Sequence, residues 1–383
     1  MGRNSVAVLD VRSSEISVIV GERGVNNTFV FNASHTEPYD GYEGGTFYDA
    51  AGLGEAIVRA VSTVEKATNE RMKTIYVGVP GEFTRVVPKE MSAGYPKKRK
   101  ITERETDALF ESGEEALKGH RLIRATSMIY VTADNRRTVN PYGISTTSLY
   151  GILSYFYCKN YFCETMERIF GRMKIAIRYL PTEFAMASYL IPAETRDEYA
   201  IFLDSGFLST TVSVVLGGGT LAEETSWVGK GQIAFRVMEA FGLPYEAALA
   251  LLKKTNLYVK SGGAKQEFVC DGVCYEIDPA KLADVVKEGL DEICESIADF
   301  LEACSGRELA FKPIYVSGEG ITEIRGALEH ISKRVSRVCE LLVPDLPYYN
   351  KPTMSSRIAL TAMATDDHRK RGLFHRLFNT FGG

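Results

Sequence analysis

The sequence is most informative first for what it lacks. No stretch approaches the roughly 18 apolar residues needed to cross a bilayer. The apolar segment behind Met1-Gly-Arg-Asn4 is only about six residues long, too short for the apolar region of a signal peptide. Gly2 followed by Val6 fails the myristoylation pattern, which wants Ser or Thr there. The seven cysteines, Cys158, Cys163, Cys270, Cys274, Cys294, Cys304 and Cys339, are odd in number and scattered. None forms a Cys-x-x-Cys pair, and Cys270 with Cys274 lacks a second ligand pair at zinc spacing. Buried, reduced thiols and a cytoplasmic compartment are the expectation. The five histidines, His35, His120, His330, His368 and His375, show no ligand spacing, so no metal site is expected. No Ser/His/Asp or Cys/His set suggests nucleophilic catalysis, and no catalytic residue emerges. Basic excess is missing too. Lys and Arg number 45 against 49 Asp and Glu, a net charge of -4, which disfavours a nucleic-acid partner.

What is present is an ordinary folded composition, 45% hydrophobic and 25% charged over 383 residues. That length suits two or more domains of about 100–200 residues each. Ser5 to Asp10 and Glu15 to Gly21 read as β-branched strands joined by the turn Asp10-Val-Arg-Ser-Ser14, and a third strand is expected over Thr28 to Ala33. Leu53, Ile57, Ala60, Val61 and Val64 form a helical stripe, and Lys73 to Val79 is a short apolar strand. Turn residues then punctuate a polar stretch containing Lys97-Lys-Arg-Lys100, read as solvated loop, with contact to acidic lipid or a partner as the alternative. Thr102 and Glu105 make a capping box that opens a helix. Strands are expected over Met128 to Thr132 and Ser145 to Tyr157. The aromatics Tyr150, Tyr155, Phe156, Tyr157, Tyr161 and Phe162 read as core and sheet packing.

The second half opens as the first does. Tyr199 to Leu203 is a strand, Asp204-Ser-Gly206 a turn and Thr210 to Leu216 a strand. Gly217-Gly-Gly219 is a hairpin turn before a third strand, Leu221 to Val228. The repeat points to a duplicated unit. Helices are expected over 232 to 257 and from Pro279 to Cys304, with a strand from Pro313 to Val316 ending in Ser317-Gly-Glu-Gly320.

Residues 365 to 369 read as a polar linker to an amphipathic tail. Leu373, Phe374, Leu377, Phe378 and Phe381 fall within an arc of about 140° at 100° per residue. Lys370, Arg371 and Arg376 supply cations beside them. That pattern fits a helix lying in the interface of an anionic membrane. A terminal helix docked on the protein's own core is the alternative.

Strand, Asp turn, strand in two lobes, followed by strand-Gly-x-Gly, is similar to the actin-like ATPase fold. Val77-Gly-Val-Pro-Gly81, Ile101-Thr-Glu-Arg-Glu105 and Asn140-Pro-Tyr-Gly143 resemble the bacterial division protein family FtsA. So do Trp227-Val-Gly-Lys-Gly-Gln232, Glu239-Ala-Phe-Gly242 and Tyr315-Val-Ser-Gly-Glu-Gly-Ile321. The resemblance runs from about residue 5 to the end. It implies an α/β, two-lobed fold with an FtsA-type (SHS2-like) insert and a C-terminal amphipathic helix. The first lobe would be 1–80 with 161–195, and the insert 81–160. The second lobe would be 196–235 with 305–365, its small subdomain 236–304, and the tail 366–383. The implied role is a membrane-associated scaffold on the inner face of the cell membrane. It would self-associate into actin-like filaments, tether FtsZ filaments through residues near 236–304, and recruit other division proteins.

The resemblance also implies an ATP site, with Mg, at Asp10, Arg12, Ser13, Asp204, Gly206, Ser209, Gly229, Gly318 and Gly320. The sequence departs from the family there. FtsA-like phosphate turns read Asp/Glu-Ile-Gly-Thr and Asp-Ile-Gly-Gly-Gly-Thr, since backbone N–H groups must approach phosphates closely. Here Arg12 replaces a glycine, Phe207 and Leu208 replace two more, Glu319 stands where a small residue is expected, and Arg236 where the family tends to have Asp. Two readings stay open. Arg12 supplies a phosphate contact, or Arg12, Phe207 and Leu208 fill the cleft. A working ATPase polymer and a PilM-type pilus-assembly protein, which binds a peptide of a membrane partner, are the alternative functions.

Overall fold

The computed structural model describes residues 5–24, 28–258, 264–304 and 309–380, with residue 43 and residues 370–380 described by secondary structure alone. In chain order the elements begin β1 (Val6–Val11), β2 (Glu15–Arg23), β3 (Phe29–Pro38), β4 (Tyr42–Glu43), β5 (Thr46–Phe47), α1 (Ala50–Thr68) and β6 (Thr74–Val79). Next come β7 (Thr84–Lys100), α2 (Glu103–Gly113), β8 (His120–Thr132), β9 (Arg137–Thr138), β10 (Ser145–Lys159), α3 (Asn160–Met173), β11 (Ala176–Pro181), α4 (Thr182–Leu190) and α5 (Ala193–Arg196). The second half holds β12 (Tyr199–Ser205), β13 (Thr210–Leu216), β14 (Gly219–Ser226), α6 (Lys230–Phe241), α7 (Tyr245–Leu252), β15 (Gln266–Cys270), β16 (Val273–Ile277) and α8 (Pro279–Ala303). The chain closes with β17 (Ile314–Ser317), α9 (Ala327–Arg334), β18 (Cys339–Leu341) and α10 (Ser355–Thr380).

Two five-stranded sheets carry the fold. The first runs β11-β6-β1-β2-β3 and the second β14-β13-β12-β17-β18. Both have the same plan: a central strand, the two following strands on one side, and two later strands on the other. The crossover pairs β1–β6, β6–β11, β12–β17 and β17–β18 are all parallel. Every residue of β1 is buried, as an apolar run covered on both faces requires. Helix α1 packs against β2 and β3, and α10 against β1, β2 and α4.

The chain divides into two compact units, Met1–Glu198 with Val215–Glu223 and Ser355–Gly383, and Tyr199–Val214 with Glu224–Met354. The sequence reading grouped residues 305–365 with the second lobe. The start of α10 instead belongs to the first unit, because its apolar face covers β1 and β2.

Within the first unit, residues 84–159 build a four-stranded sheet in the order β7-β10-β8-β9. Ile101, Leu109, Tyr130, Leu149, Leu153, Tyr155 and Tyr157 form the core beside α2. The capping box sets where α2 begins: Glu105 accepts from the Thr102 N–H at 2.9 Å and from its hydroxyl at 2.6 Å. Tyr155, Phe156, Tyr157 and Phe162 are buried and Tyr161 is exposed. The basic run Lys97–Lys100 is not loop. It ends β7, an edge strand, where charge blunts pairing with other chains. Residues 365–369 are not a linker either, since α10 continues through them.

Candidate functional site

Asp10 and Asp204 close the central strands of their respective sheets, at the carboxyl ends where open α/β sheets place ligands.

In the first unit, the Arg12 N–H donates to the Glu15 carbonyl at 3.0 Å, which closes the turn. Asp10 is 1% exposed. Its Oδ2 accepts from the Ser356 hydroxyl at 2.6 Å. Arg12 Nε lies 3.6 Å from Oδ1, and Arg357 Nε lies 3.9 Å from Oδ2. Arg357 also pairs with Glu15. Burial lowers the pKa of Arg357 and the Asp10 carboxylate opposes that shift. The Arg12 guanidinium is folded inward, donating to Ser356 Oγ at 3.4 Å and to Met186 Sδ at 3.3 Å. Ser13 is buried beside it. A buried carboxylate is thus balanced by two guanidinium groups and a hydroxyl of the same unit.

In the second unit, three turns pack backbone on backbone. Gly206 N–H donates to Ser209 O at 2.8 Å, and Gly320 N–H to Ser205 O at 2.8 Å. Ile321 N–H reaches Ser205 Oγ at 2.9 Å. Lys230 N–H donates to Gly206 O at 3.3 Å and Gly231 N–H to Phe207 O at 2.7 Å. The Gly229 N–H is taken by Gln232 Oε1 at 2.9 Å. A Cβ at Gly318, whose φ is +98°, would sit 2.3 Å from Ser205 O, so glycine is required there. Phe207 and Leu208 lie over the start of α6, where a Cβ on Gly231 would meet them at 3.1 Å and 3.0 Å. Lys230 Nζ donates to Glu323 at 2.5 Å and to Glu319 O at 3.3 Å. Arg236 pairs with Glu292 on α8.

The structure therefore assembles Gly206, Ser209, Gly229, Gly318 and Gly320 into one cluster and places Asp10, Arg12 and Ser13 in another. Sequence reasoning missed Ser356 and Arg357, which no local signal ties to Asp10. It also missed Ser205, which anchors the late turn to the Asp turn. The fit of these residues to Mg-ATP is poor on each side. Phosphate-binding turns work by offering N–H groups outward, and here the Arg12 N–H of the first turn and the Gly206 N–H of the second are bonded to protein oxygens. The Asp10 carboxylate is charge-balanced by Arg12 and Arg357, although its buried Oδ1 has no hydrogen-bond partner among the described residues.

Elsewhere, Cys270 and Cys274 sit on one hairpin. Cys270 stands opposite Val273 and Cys274 opposite Val269, so the two thiols face opposite sides of it. No group of three or more potential ligands that could hold a metal ion occurs among the described residues. No described helix is long and apolar enough to cross a membrane. The side chains of Lys370, Arg371, Leu373, Phe374, Arg376, Leu377 and Phe378, and all of Phe381, lie outside the described residues.

The duplicated sheets, with an α/β insert in the first unit and a helical subdomain in the second, define the actin-like ATPase fold. The PilM-PilN type IV pilus biogenesis complex is similar over 94% of this chain and 98% of that one, at 12% identity and a TM-score of 0.64. MreB 5 of Spiroplasma citri bound to AMPPNP is similar over 96% and 98%, at 9% identity and a TM-score of 0.56. The MamK double helical filament matches over 93% and 98%, at 12% identity and a TM-score of 0.52. No family model and no curated protein matches the chain.

Proposed function

We propose that this chain is a membrane-associated scaffold on an actin-like fold, working by partner binding and self-association, with nucleotide turnover lost from its main role. One observation carries the reading: Arg12, the residue that replaces the phosphate-turn glycine, spends its guanidinium on Asp10, Ser356 and Met186. The structural similarity to the MamK double helical filament supports self-association. The order of the FtsA-like motifs and the basic-apolar tail support a more specific role. The chain would tether FtsZ-like filaments and other division proteins to an anionic membrane surface, with ATP binding degraded.

A second reading is favoured by the similarity to the PilM-PilN complex. On that reading a partner chain supplies the membrane anchor and the tail is dispensable. Sedimentation with anionic liposomes separates the two. Truncation must begin after Arg369, because Asp366 pairs with Arg23 and Asp367 with Arg124 at 2.8 Å, contacts that belong to the folded body. Loss of liposome binding in the chain ending at Arg369 is the expected result. Undiminished binding sinks the tail-anchored reading.

A further inference from the structure

Strand pairing gathers cations from four segments at one end of the insert sheet. β7 pairs with β10 so that Lys100 faces Ser145, and β10 pairs with β8 so that Leu149 faces Thr132. The ends of β7 and β8 and the start of β10 therefore lie together. Lys97, Lys98 and Lys100 come from β7, Arg104 from the first turn of α2, Arg136 from the turn between β8 and β9, and Arg137 from β9. All six are exposed. None forms a side-chain hydrogen bond or ion pair among the described residues. The neighbouring carboxylates are partly withdrawn. Glu105 is held by Thr102 and by Arg99 at 3.3 Å, and Asp134 accepts from Thr132 at 2.5 Å. Glu103 and Asp107 on α2 and Asp134 remain exposed beside the cluster, and the Thr132 hydroxyl and, less strongly, Arg136 hold the Asp134 carboxyl below its usual range.

Edge protection explains lysines on β7. It extends to Arg137 on β9, the opposite edge strand, but does not explain Arg104 on α2 or Arg136 in the turn before β9. The β7–β10 register slips from Ser148 opposite Gly94 to Thr146 opposite Arg99, so Lys97 and Lys98 lie in a bulge while Lys100 is paired with Ser145. The surface that sums all six charges is the end of the sheet, not either face. Tyr142, 52% exposed, stands in the loop leading to β10 at the same end. Cations around an amphipathic aromatic are the chemistry of a headgroup layer.

We propose that this end of the insert sheet docks on anionic phospholipid headgroups. The proposal rests on the membrane-scaffold reading and deepens it, since one weak anchor binds reversibly and a polybasic patch is a common second signal. The test uses the full chain with vesicles of phosphatidylcholine alone and of phosphatidylcholine mixed with phosphatidylglycerol, over a range of salt. K97Q/K98Q/K100Q is expected to weaken binding to the anionic vesicles about ten-fold or more and to flatten its salt dependence, with melting unchanged. R136Q/R137Q, on the opposite side of the sheet from β7, is expected to act in the same direction.

Equal binding by both variants overturns the proposal and leaves the tail-anchored reading standing. If the chain ending at Arg369 binds like the full chain, and K97Q/K98Q/K100Q abolishes that binding, this surface is upheld and the tail is removed from the membrane contact. Failure of the unmodified chain on both vesicle types overturns both ideas. If a single-stranded oligonucleotide displaces the chain from anionic vesicles and both variants bind that oligonucleotide less well, the partner is nucleic acid and the lipid assignment falls.

Discussion

The role of Arg12 could not be decided from its neighbours in the chain. Its sequence position, in a phosphate turn, allowed a ligand contact or an obstruction. Its partner Ser356 is 344 residues away, and that contact turns the guanidinium into the first unit. Ser356 accepts from Arg12 and donates to Asp10, so the three groups form a short relay. Arg357 completes the charge balance with its side chain 15% exposed. Removing one member of a buried ion pair leaves the other uncompensated, commonly at a cost of about 3 kcal/mol. Arg357→Met is therefore expected to destabilise the chain by roughly 2–3 kcal/mol in a denaturant titration. Asp10→Asn in the same chain should recover part of that loss. Independent, additive costs would show that the pair is not coupled.

At the scale of elements, the hairpin joining β13 and β14 does more than reverse the chain. Its tip belongs to the first unit and is fastened to the insert sheet. Gly218 N–H donates to Met128 O at 3.1 Å, and Ser154 Oγ donates to Thr220 O at 2.7 Å. Arg196 adds bonds to Ile191 O at 3.1 Å and to Gly217 O. Gly217 has φ of +54°, and a Cβ there would sit 2.0 Å from Met128 O. Three consecutive glycines read simply as a turn in the sequence, which was right but incomplete. They also let one backbone lie directly on another. Gly217→Ala should cost about 2 kcal/mol or more from backbone strain and the clash. A thermal melt unchanged from the parent would refute this close approach. Helix α10 teaches a related lesson. Polar residues 365–369 looked like a break, yet Asp366 and Asp367 are polar because they pair with Arg23 and Arg124.

At the scale of the molecule, the same strand order appears twice, and the repeat was legible from two strand-Asp turn-strand openings. Their geometry argues against a working nucleotide switch. A ligand that binds only the folded state stabilises it in proportion to its excess over Kd, by about 2.7 kcal/mol at a hundred-fold excess. Millimolar Mg-ATP is accordingly expected to leave the melting temperature of the full chain unchanged. A clear upward shift would restore nucleotide binding and overturn the reading of a degraded site.

The sequence by itself determined the periodicities, and with them most strands and helices, the capping box of α2 and the duplicated plan. These follow from local patterns of apolar residues, turn residues and caps, which act over a few positions. The sequence also marked the phosphate turns as altered. Only the tertiary structure decided what the alterations do, because the partners of Asp10 and Arg12 come from the far end of the chain. It alone showed six scattered cations sharing one end of a sheet. Charge clusters made by strand register have no signature in any single segment, since register is set by the buried faces and not by the exposed residues that it brings together.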